Sequence, residues 1–501
     1  MTTIDPSVAF SSLLSSTFVP TLTTSFNPEN LLWALILGFI LAFVLGFGMG
    51  ANDVANAFGT SVGSNVLTIR NAFILATIME TLGAMLVGSN VTATMSKKVV
   101  NIDLYIKYPD QFFLGQLAIL GGGSVWLVTA TLLRLPVSST HSIVGATLGF
   151  TLVLNGIKGI SWWKILEIAL SWVLSPALSG FVSATLYMIV DFAVLRRRNP
   201  VKCGLRALPF FYFFCIAFNS FAIVKNGSQK LEHVGLIAEG RISVWVLIMI
   251  SIGFGVVAAL ISHFILRPRI LRWIYRGREE KINEQNDEQN DDESNEWSNL
   301  SSSERLQSFR LTPRGLISWF FPRKDRKENK DTLRMFSTIQ VFTACFAAFA
   351  HGANDVSNSI SPLVAMLSVW IHRTVKEKED TSPWLLLFGV FSICLGLWIL
   401  GHRVIEMVGQ KLSQINPCSG FTIEFGAAFT VVLASELGLP VSTTHCLVGS
   451  VVAVGTINSG EGIDWRHFGS IAKSWLVTLP VSGAISAALM FILKVSLLTN
   501  E

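Results

Sequence analysis

GANDVAN at residues 50–56 recurs as GANDVSN at residues 352–358, and both copies lie in strongly apolar sequence. A carboxylate between two amides is costly in hydrocarbon, and ionisable residues that are kept in membrane segments usually line the path of an ion or a substrate. Because the phrase occurs once in each half of the chain, we expect the two copies to contribute to one site.

The composition indicates a membrane protein. Hydrophobic residues make up 51% of the 501 residues and charged residues only 14%, and the mean hydropathy is +0.54. These values are typical of polytopic membrane proteins and exclude an ordinary soluble enzyme or a nucleic-acid-binding protein. The sequence predicts an all-α fold with about 12 membrane segments, several of them shorter than the ~20 residues that a spanning helix needs. The six cysteines form no CxxC pair, so we expect them to be small core residues and expect no resident cofactor.

One long polar segment, residues 267–334, interrupts the apolar pattern. Its low apolar content and mixed charge predict a solvated, largely disordered loop. Basic residues cluster at both of its edges, so the positive-inside bias places the loop in the cytoplasm. Residues 1–30 contain no Lys or Arg and are predicted to lie on the opposite side. The basic run Arg196–Arg198 is a second cytoplasmic anchor, which makes the spans between the two anchors a hairpin.

Two further phrases are duplicated in the same order. LPVSSTHS at residues 135–142 recurs as LPVSTTHC at residues 439–446, and the segment at 171–180 is echoed at 474–483. The first copy of the unit is entered from the tail and the second from the cytoplasmic loop, so the copies are predicted to cross the membrane in opposite directions. Inverted repeats with broken or re-entrant helices are typical of secondary transporters. The predicted organisation is a tail (1–30), a first repeat (31–200), an additional helical hairpin (201–266), the loop (267–334) and an inverted second repeat (335–501).

The duplicated LPVS(S/T)TH phrases combine a proline with a run of hydroxyls, a pattern that predicts a chain reversal followed by a helix start. A helix N-terminus offers free N–H groups and a positive dipole end, so with hydroxyl donors it can bind an anion without a fixed positive charge. The alternative is that the hydroxyls only cap helices or join helix pairs. The adjoining His141 and His445 are expected to be neighbours of the caps. The candidate anion ligands are Ser138, Ser139, Thr140, Ser442, Thr443 and Thr444.

The two GANDV phrases, in contrast, offer ligands for a cation. Carboxylate and amide oxygens are the ligands that a hard cation prefers. The alternative is a helix contact with a satisfied buried Asp. Two further acids in apolar surroundings, Glu80 and Glu424, either bind a cation or stay protonated. The candidate cation ligands are Asn52, Asp53, Asn354, Asp355, Glu80 and Glu424, and the phrases also supply Asn56 and Asn358.

These phrases resemble those of the inorganic phosphate transporter (PiT) family of sodium-phosphate symporters. The resemblance rests on GANDVANAFGTSVGS from Gly50, HGANDVSNSISPLV from His351 and both LPVS(S/T)TH phrases. It implies an inverted-repeat transporter, frequently dimeric, that moves inorganic phosphate with Na⁺ as the co-transported ion. It further implies that the aspartates and flanking asparagines form the ion and phosphate site. Within this site we expect Asn56 and Asn358 to bind phosphate. Ser361 departs from the family, in which Gly is usual at this position.

Because the prominent charges are carboxylates, an empty site would repel phosphate, and Na⁺ is expected to enter first. We expect a multi-pass protein of the plasma membrane, and the resemblance implies a homodimer. Three alternatives stay open: a proton-coupled phosphate permease on the same scaffold, a channel, and an intramembrane hydrolase. For the intramembrane hydrolase, the sequence lacks the HExxH and Cys-His nucleophile patterns.

Overall fold

A computed structural model describes residues 28–87, 102–233, 242–276, 320–323, 326, 328–375, 381–406, 412–436, 441–458 and 462–498. The predicted tail before residue 28 and residues 277–319 of the predicted loop lie outside these ranges. Where the chain is described, it is almost entirely helical, and its extended pairing is limited to one bridge between Ser413 and Ile463. In hydrocarbon a helix satisfies its own backbone hydrogen bonds, which is why apolar sequence of this length folds this way.

The first half begins with a helix that is interrupted by the first GANDV phrase. A π-helical turn at Gly50–Val54 separates α1 from α2. The helices of this half are α1 (Pro28–Met49), α2 (Ala55–Gly63), α3 (Ile69–Val87), α4 (Pro109–Leu132), α5 (Ser139–Asn155) and α6 (Trp162–Val190).

Two helices follow where the sequence predicts an additional hairpin, and six described helices belong to the second half. In the second half the GANDV phrase lies inside one long helix, α9, without interruption. The helices are α7 (Pro200–His233), α8 (Val244–Ile261), α9 (Lys330–His372), α10 (Pro383–Leu400), α11 (His402–Glu406), α12 (Pro417–Glu436), α13 (Thr443–Ile457) and α14 (Trp465–Leu493). Helical structure continues from α8 to Arg276, so both edges of the predicted loop are helical.

The described helices include 11 that are long and apolar enough to cross a membrane, by length and composition. The apolar α13, with 15 residues, is too short for this. These findings confirm the predicted all-α, polytopic membrane fold. The short α13 begins at the second LPVS(S/T)TH phrase, where the sequence predicts a re-entrant helix.

The two halves interlock through small residues. A Cβ atom on Gly145 of α5 would lie 2.4 Å from the carbonyl oxygen of Leu479 in α14. Likewise a Cβ atom on Gly449 of α13 would lie 2.3 Å from the carbonyl oxygen of Pro176 in α6. Such contacts require glycine, because any side chain would separate the backbones. The helices that begin at the two LPVS(S/T)TH phrases, α5 and α13, therefore each pack against the last long helix of the other half.

A group of charged and polar side chains ties the segment before α9 to the rest of the fold. Asp191, fully buried beyond the end of α6, contacts Arg196 and lies 2.5 Å from Nη1 of Arg326. Glu328 lies 3.3 Å from Arg326 and accepts a hydrogen bond of 3.2 Å from Nδ2 of Asn416, just before α12. We call these five residues the loop-end cluster. It holds the chain end that enters α9 against α6 and α12.

Candidate functional site

The two GANDV phrases meet inside the fold. One side-chain ligand atom each from Asp53, His351 and Asp355 lie within 4.8 Å of one another, and all three residues are buried. Asp53 projects from the π-helical turn, a distortion that is frequent at functional sites. Asp355 and His351 lie one helical turn apart on α9. Two carboxylates and an imidazole from opposite halves of the chain thus share one buried position.

A glycine contact brings Glu80 to the same place. A Cβ atom on Gly352 would lie 2.3 Å from the carbonyl oxygen of Glu80, so α3 and α9 touch backbone to backbone. As a result, Nδ1 of His351 lies 2.9 Å and 3.1 Å from the two carboxylate oxygens of Glu80. The other ring nitrogen, Nε2, contacts the carboxylate of Asp355. His351 therefore bridges two acids.

This bridge has a consequence for charge. A neutral imidazole carries one N–H, whereas a ring with a carboxylate at each nitrogen donates to both only as the imidazolium. Within this group of described residues, His351 is the one basic side chain beside three acids, Asp53, Glu80 and Asp355. The group therefore holds more acids than bases.

Sequence reasoning gave His351 no role, although the residue stands directly before the second GANDV phrase. The available signal was the difference between the two copies, because Met49 occupies the matching position in the first. A polar ring at one copy and an apolar side chain at the other is a difference that a search for similarity does not register.

Two helix N-termini converge on the carboxylates. α5 begins at Ser139 and α13 at Thr443, as the hydroxyl runs predict. The hydroxyl of Thr444 lies 3.4 Å from Oδ1 of Asp53, and Ser139 interacts with the same carboxylate. Asp53 thus stands between the other acids and the first turns of both short helices.

The first hydroxyl of each run caps its helix. Ser138 accepts a hydrogen bond of 3.3 Å from the backbone N–H of His141, and Ser442 accepts one of 3.4 Å from His445. This is the ordinary N-cap arrangement. Ser139, Thr140, Thr443 and Thr444 lie in the first turns beyond the caps.

Asn52 fixes the chain that leads into α5. Its side-chain oxygen accepts a hydrogen bond of 3.0 Å from the backbone N–H of Val137, and Nδ2 donates to the carbonyl oxygen of Leu135 at 2.9 Å. Nδ2 also lies 3.2 Å from the hydroxyl of Thr131. Asn52 therefore sets the position of the first hydroxyl run relative to its neighbour Asp53.

The other three asparagines of the GANDV phrases differ in their surroundings. Nδ2 of Asn358 donates to Oδ1 of Asp355 at 3.1 Å, so this amide belongs to the carboxylate group. Asn354 lies next to Asp355 and is half-buried. The side chain of Asn56 lies outside the described part of α2.

Glu424 forms a second polar group with its own partners. The hydroxyls of Thr60, Ser61 and Thr343 donate to its carboxylate at 2.5, 2.7 and 2.7 Å, and Nε2 of Gln340 lies at 3.5 Å. All five side chains are buried. In this group the described partners of the carboxylate are neutral, in contrast to the imidazole beside Glu80.

Glu80 and Glu424 do not occupy matching positions. The backbone that faces Gly352 is that of Glu80 in α3, whereas the backbone that faces Gly50 is that of Ile393 in α10. Glu424 instead lies in α12, whose matching helix in the first half is α4. The buried Gln116 lies in α4 at the same number of residues after the first proline of its helix as Glu424 does in α12. The two acids thus belong to different parts of the duplicated unit.

Comparison with known proteins extends the motif resemblance to most of the chain. The model of the phosphate transporter family matches residues 49–486. Sodium-dependent phosphate transporter 1 of Rattus norvegicus is 33% identical, over 94% of this chain and 97% of its own length. Sodium-dependent phosphate transporter 1-B of Danio rerio is also 33% identical, over 92% and 95%.

A solved structure is similar as well. A chain described as the sodium-dependent phosphate transporter superposes with a TM-score of 0.74 at 32% sequence identity, and the match covers 93% of this chain and 100% of that one. The resemblance inferred from the duplicated phrases is confirmed. The chain belongs to the phosphate transporter family and is a transporter, not an enzyme.

Proposed function

We propose that this protein imports inorganic phosphate in symport with Na⁺, by alternating access between the two sides of the membrane. The names of its relatives support both solutes, since each is described as a sodium-dependent phosphate transporter. The observation that carries the proposal is the position of Asp53. It lies beside Asp355 on one side and beside the N-terminal turns of α5 and α13 on the other.

Electrostatics makes the two solutes interdependent. Two like unit charges 4 Å apart repel by about 4 kcal/mol at an effective dielectric constant of about 20. Phosphate near Asp53 and Asp355 meets this repulsion, and the neutral donors of the helix N-termini do not cancel it. Na⁺ between the carboxylates removes it and lets phosphate settle on the helix ends. By linkage each solute then raises the affinity for the other by the same factor.

The side chains divide between the solutes by their chemistry. Na⁺ is held by the carboxylates of Asp53 and Asp355, with Asn354 as a nearby amide ligand. Asn52 and Glu80 act through their contacts, Asn52 by holding the chain before α5 and Glu80 by orienting His351. Phosphate is held by first-turn hydroxyls and amides, namely Ser139, Thr140, Thr443, Thr444, Asn56 and Asn358.

The Glu424 group offers a second position for Na⁺. A carboxylate surrounded by hydroxyls supplies the oxygen ligands that a hard cation needs. Ser138 and Ser442 support the phosphate position as caps, because each fixes the start of its helix.

The proposal includes an orientation. The two halves run in opposite directions, the segment between α8 and α9 is cytoplasmic, and the membrane is the plasma membrane. The reciprocal packing of α5 on α14 and of α13 on α6 supports a paired arrangement of two similar halves, since the halves exchange equivalent helices. A homodimer is also proposed, from the resemblance to the family.

Proton coupling is the second candidate mechanism, and His351 favours it. An imidazole held between two carboxylates can take up and release a proton during a transport cycle. In this version a protonated group, not Na⁺, neutralises the acids before phosphate enters.

Uptake by purified protein in liposomes separates the two mechanisms. Labelled phosphate uptake is measured with an inward Na⁺ gradient at fixed pH, and again with choline in place of Na⁺ and an inward proton gradient. Na⁺ coupling predicts saturable uptake in the first condition and none in the second. Uptake driven by the proton gradient alone would reject the Na⁺ proposal, and single-channel currents would indicate a channel.

A further inference from the structure

Four aromatic rings form a continuous row where the two halves meet. The imidazoles of His141 and His445 contact edge to face, with ring centroids 4.7 Å apart and an interplanar angle of 76°. The ring centroids of His445 and Trp475 are 3.9 Å apart, and those of His141 and Trp172 are 5.5 Å apart. Each half contributes one imidazole and one indole. We call these four residues the ring row.

The ring row adjoins the hydroxyl runs. His141 follows Thr140 in the first turn of α5, and His445 follows Thr444 in the first turn of α13. The backbone N–H of each histidine is the one that binds the capping serine, so each ring is fixed to the start of its helix. The contact between the imidazoles is therefore a direct contact between the two helix N-termini.

The contact is made by ring faces and edges. Nδ1 of His141, both ring nitrogens of His445 and the indole nitrogens of both tryptophans are buried without a hydrogen-bond partner among the described residues. Both histidines are at most 1% exposed. Aromatic rings at these separations attract one another in offset and edge-to-face arrangements.

We propose that the ring row is a spacer that fixes the distance between the N-termini of α5 and α13, and that His141 and His445 thereby set the affinity and selectivity for phosphate. The inference rests on the proposed function, in which the N-termini of α5 and α13 bind the same tetrahedral oxyanion. Donors from two helices converge on one anion only at a fixed separation, and a displacement of about 1 Å is enough to weaken such a site. The histidines are positioning residues, because they act through the hydroxyls that precede them.

The test compares His445→Ala, which removes the ring, with His445→Phe, which keeps a ring and removes the nitrogens. His263→Ala, at an exposed histidine of the π-helical turn after α8, is the matched control. Na⁺-driven uptake of phosphate and of arsenate, a larger tetrahedral oxyanion, is measured in liposomes. Binding of Na⁺ alone to the purified protein is measured in parallel.

The spacer predicts that His445→Ala raises the KM for phosphate by about three- to tenfold, the range expected for one aromatic pair. The maximal rate changes less, the preference for phosphate over arsenate narrows, and binding of Na⁺ alone is unchanged. His445→Phe and His263→Ala stay close to the wild-type protein. His141→Ala combined with His445→Ala costs less than the two single changes together, because both remove one contact.

Two results would overturn the spacer: an unchanged KM in His445→Ala, or an effect of His445→Phe as large as that of His445→Ala. If the alanine variant loses Na⁺ binding through misfolding, His445→Leu, of similar volume and without a ring, takes its place under the same criteria. A wild-type protein without Na⁺-driven phosphate uptake would instead reject the proposed function itself.

Discussion

The hydroxyl of Thr444 lies 3.4 Å from the carboxylate oxygen Oδ1 of Asp53, although the two residues come from opposite halves of the chain. This contact joins the start of α13 to the π-helical turn between α1 and α2. A group that can bind a cation and a helix end that can bind an anion are therefore neighbours. The proposed coupling of Na⁺ to phosphate depends on this adjacency.

Replacing His351 by Gln is expected to impair both folding and transport. The change leaves Glu80 and Asp355 without their shared partner, and removing one member of a buried charged pair costs about 3–5 kcal/mol. We expect a lower unfolding temperature in detergent and strongly reduced phosphate uptake. Glu80→Gln in the same chain should restore part of the stability. His372→Gln, at an exposed histidine at the end of α9, is the control. Wild-type stability in His351→Gln would contradict the bridge.

Asn52→Ala tests the anchoring of the chain before α5. The variant loses hydrogen bonds to Val137 and Leu135, so the first hydroxyl run is no longer fixed relative to Asp53. A buried backbone group without its partner costs about 1–3 kcal/mol. We predict a higher KM for phosphate and nearly unchanged binding of Na⁺ alone, measured by uptake and by Na⁺ titration. Asn71→Ala, at an exposed position in α3, is the control. A loss of Na⁺ binding with an unchanged phosphate KM would show that Asn52 is a cation ligand instead.

Arg326→Gln should destabilise the loop-end cluster. Asp191 is fully buried, and Arg196 alone then remains as its cationic partner within the cluster. We expect a lower unfolding temperature in Arg326→Gln, a loss that the double variant Asp191→Asn, Arg326→Gln partly recovers because the fully buried carboxylate is removed together with Arg326. Arg276→Gln, at an exposed arginine, should behave as wild type. Equal stability of the single and double variants would show that the ion pair does not hold the segment before α9.

The same cluster predicts a dependence on pH. Burial raises the pKa of Glu328 above its ordinary value of 4.5, although the neighbouring Arg326 opposes the shift. A carboxyl with a raised pKa binds its proton more tightly in the folded state, so its contribution to stability falls as pH rises from 4.5 through the folded pKa. Between pH 5 and pH 8, thermal unfolding should show a smaller loss of stability in Glu328→Gln than in wild type. Identical pH profiles would contradict this assignment.

Much of the fold follows from the sequence, because a long apolar segment in hydrocarbon must satisfy its own backbone hydrogen bonds and does so as a helix. The starts of α5 at Ser139 and α13 at Thr443 were predictable, since proline and hydroxyl residues signal a helix N-terminus locally. The bridge by His351 was not, because it depends on how closely α3 approaches α9 at Gly352.

The matching of acids between the halves illustrates the same limit. Glu80 and Glu424 look alike in sequence, since each is a lone acid in apolar surroundings. The packing of Gly50 on Ile393 and of Gly352 on Glu80 reveals that they occupy different parts of the duplicated unit. Local patterns specify elements, whereas pairings between distant helices arise from close packing that no single segment encodes.

The proposed coupling requires Na⁺ to bind near Asp53 before phosphate can bind. The most direct test is phosphate binding to the purified protein, by equilibrium titration at saturating Na⁺ and in choline without Na⁺, for wild type and for Asp53→Asn. We predict that wild-type protein binds phosphate only with Na⁺, and that Asp53→Asn binds Na⁺ more weakly and no longer transports phosphate. Equal phosphate affinity of the wild-type protein with and without Na⁺, or an unchanged Na⁺ dependence in Asp53→Asn, would contradict it.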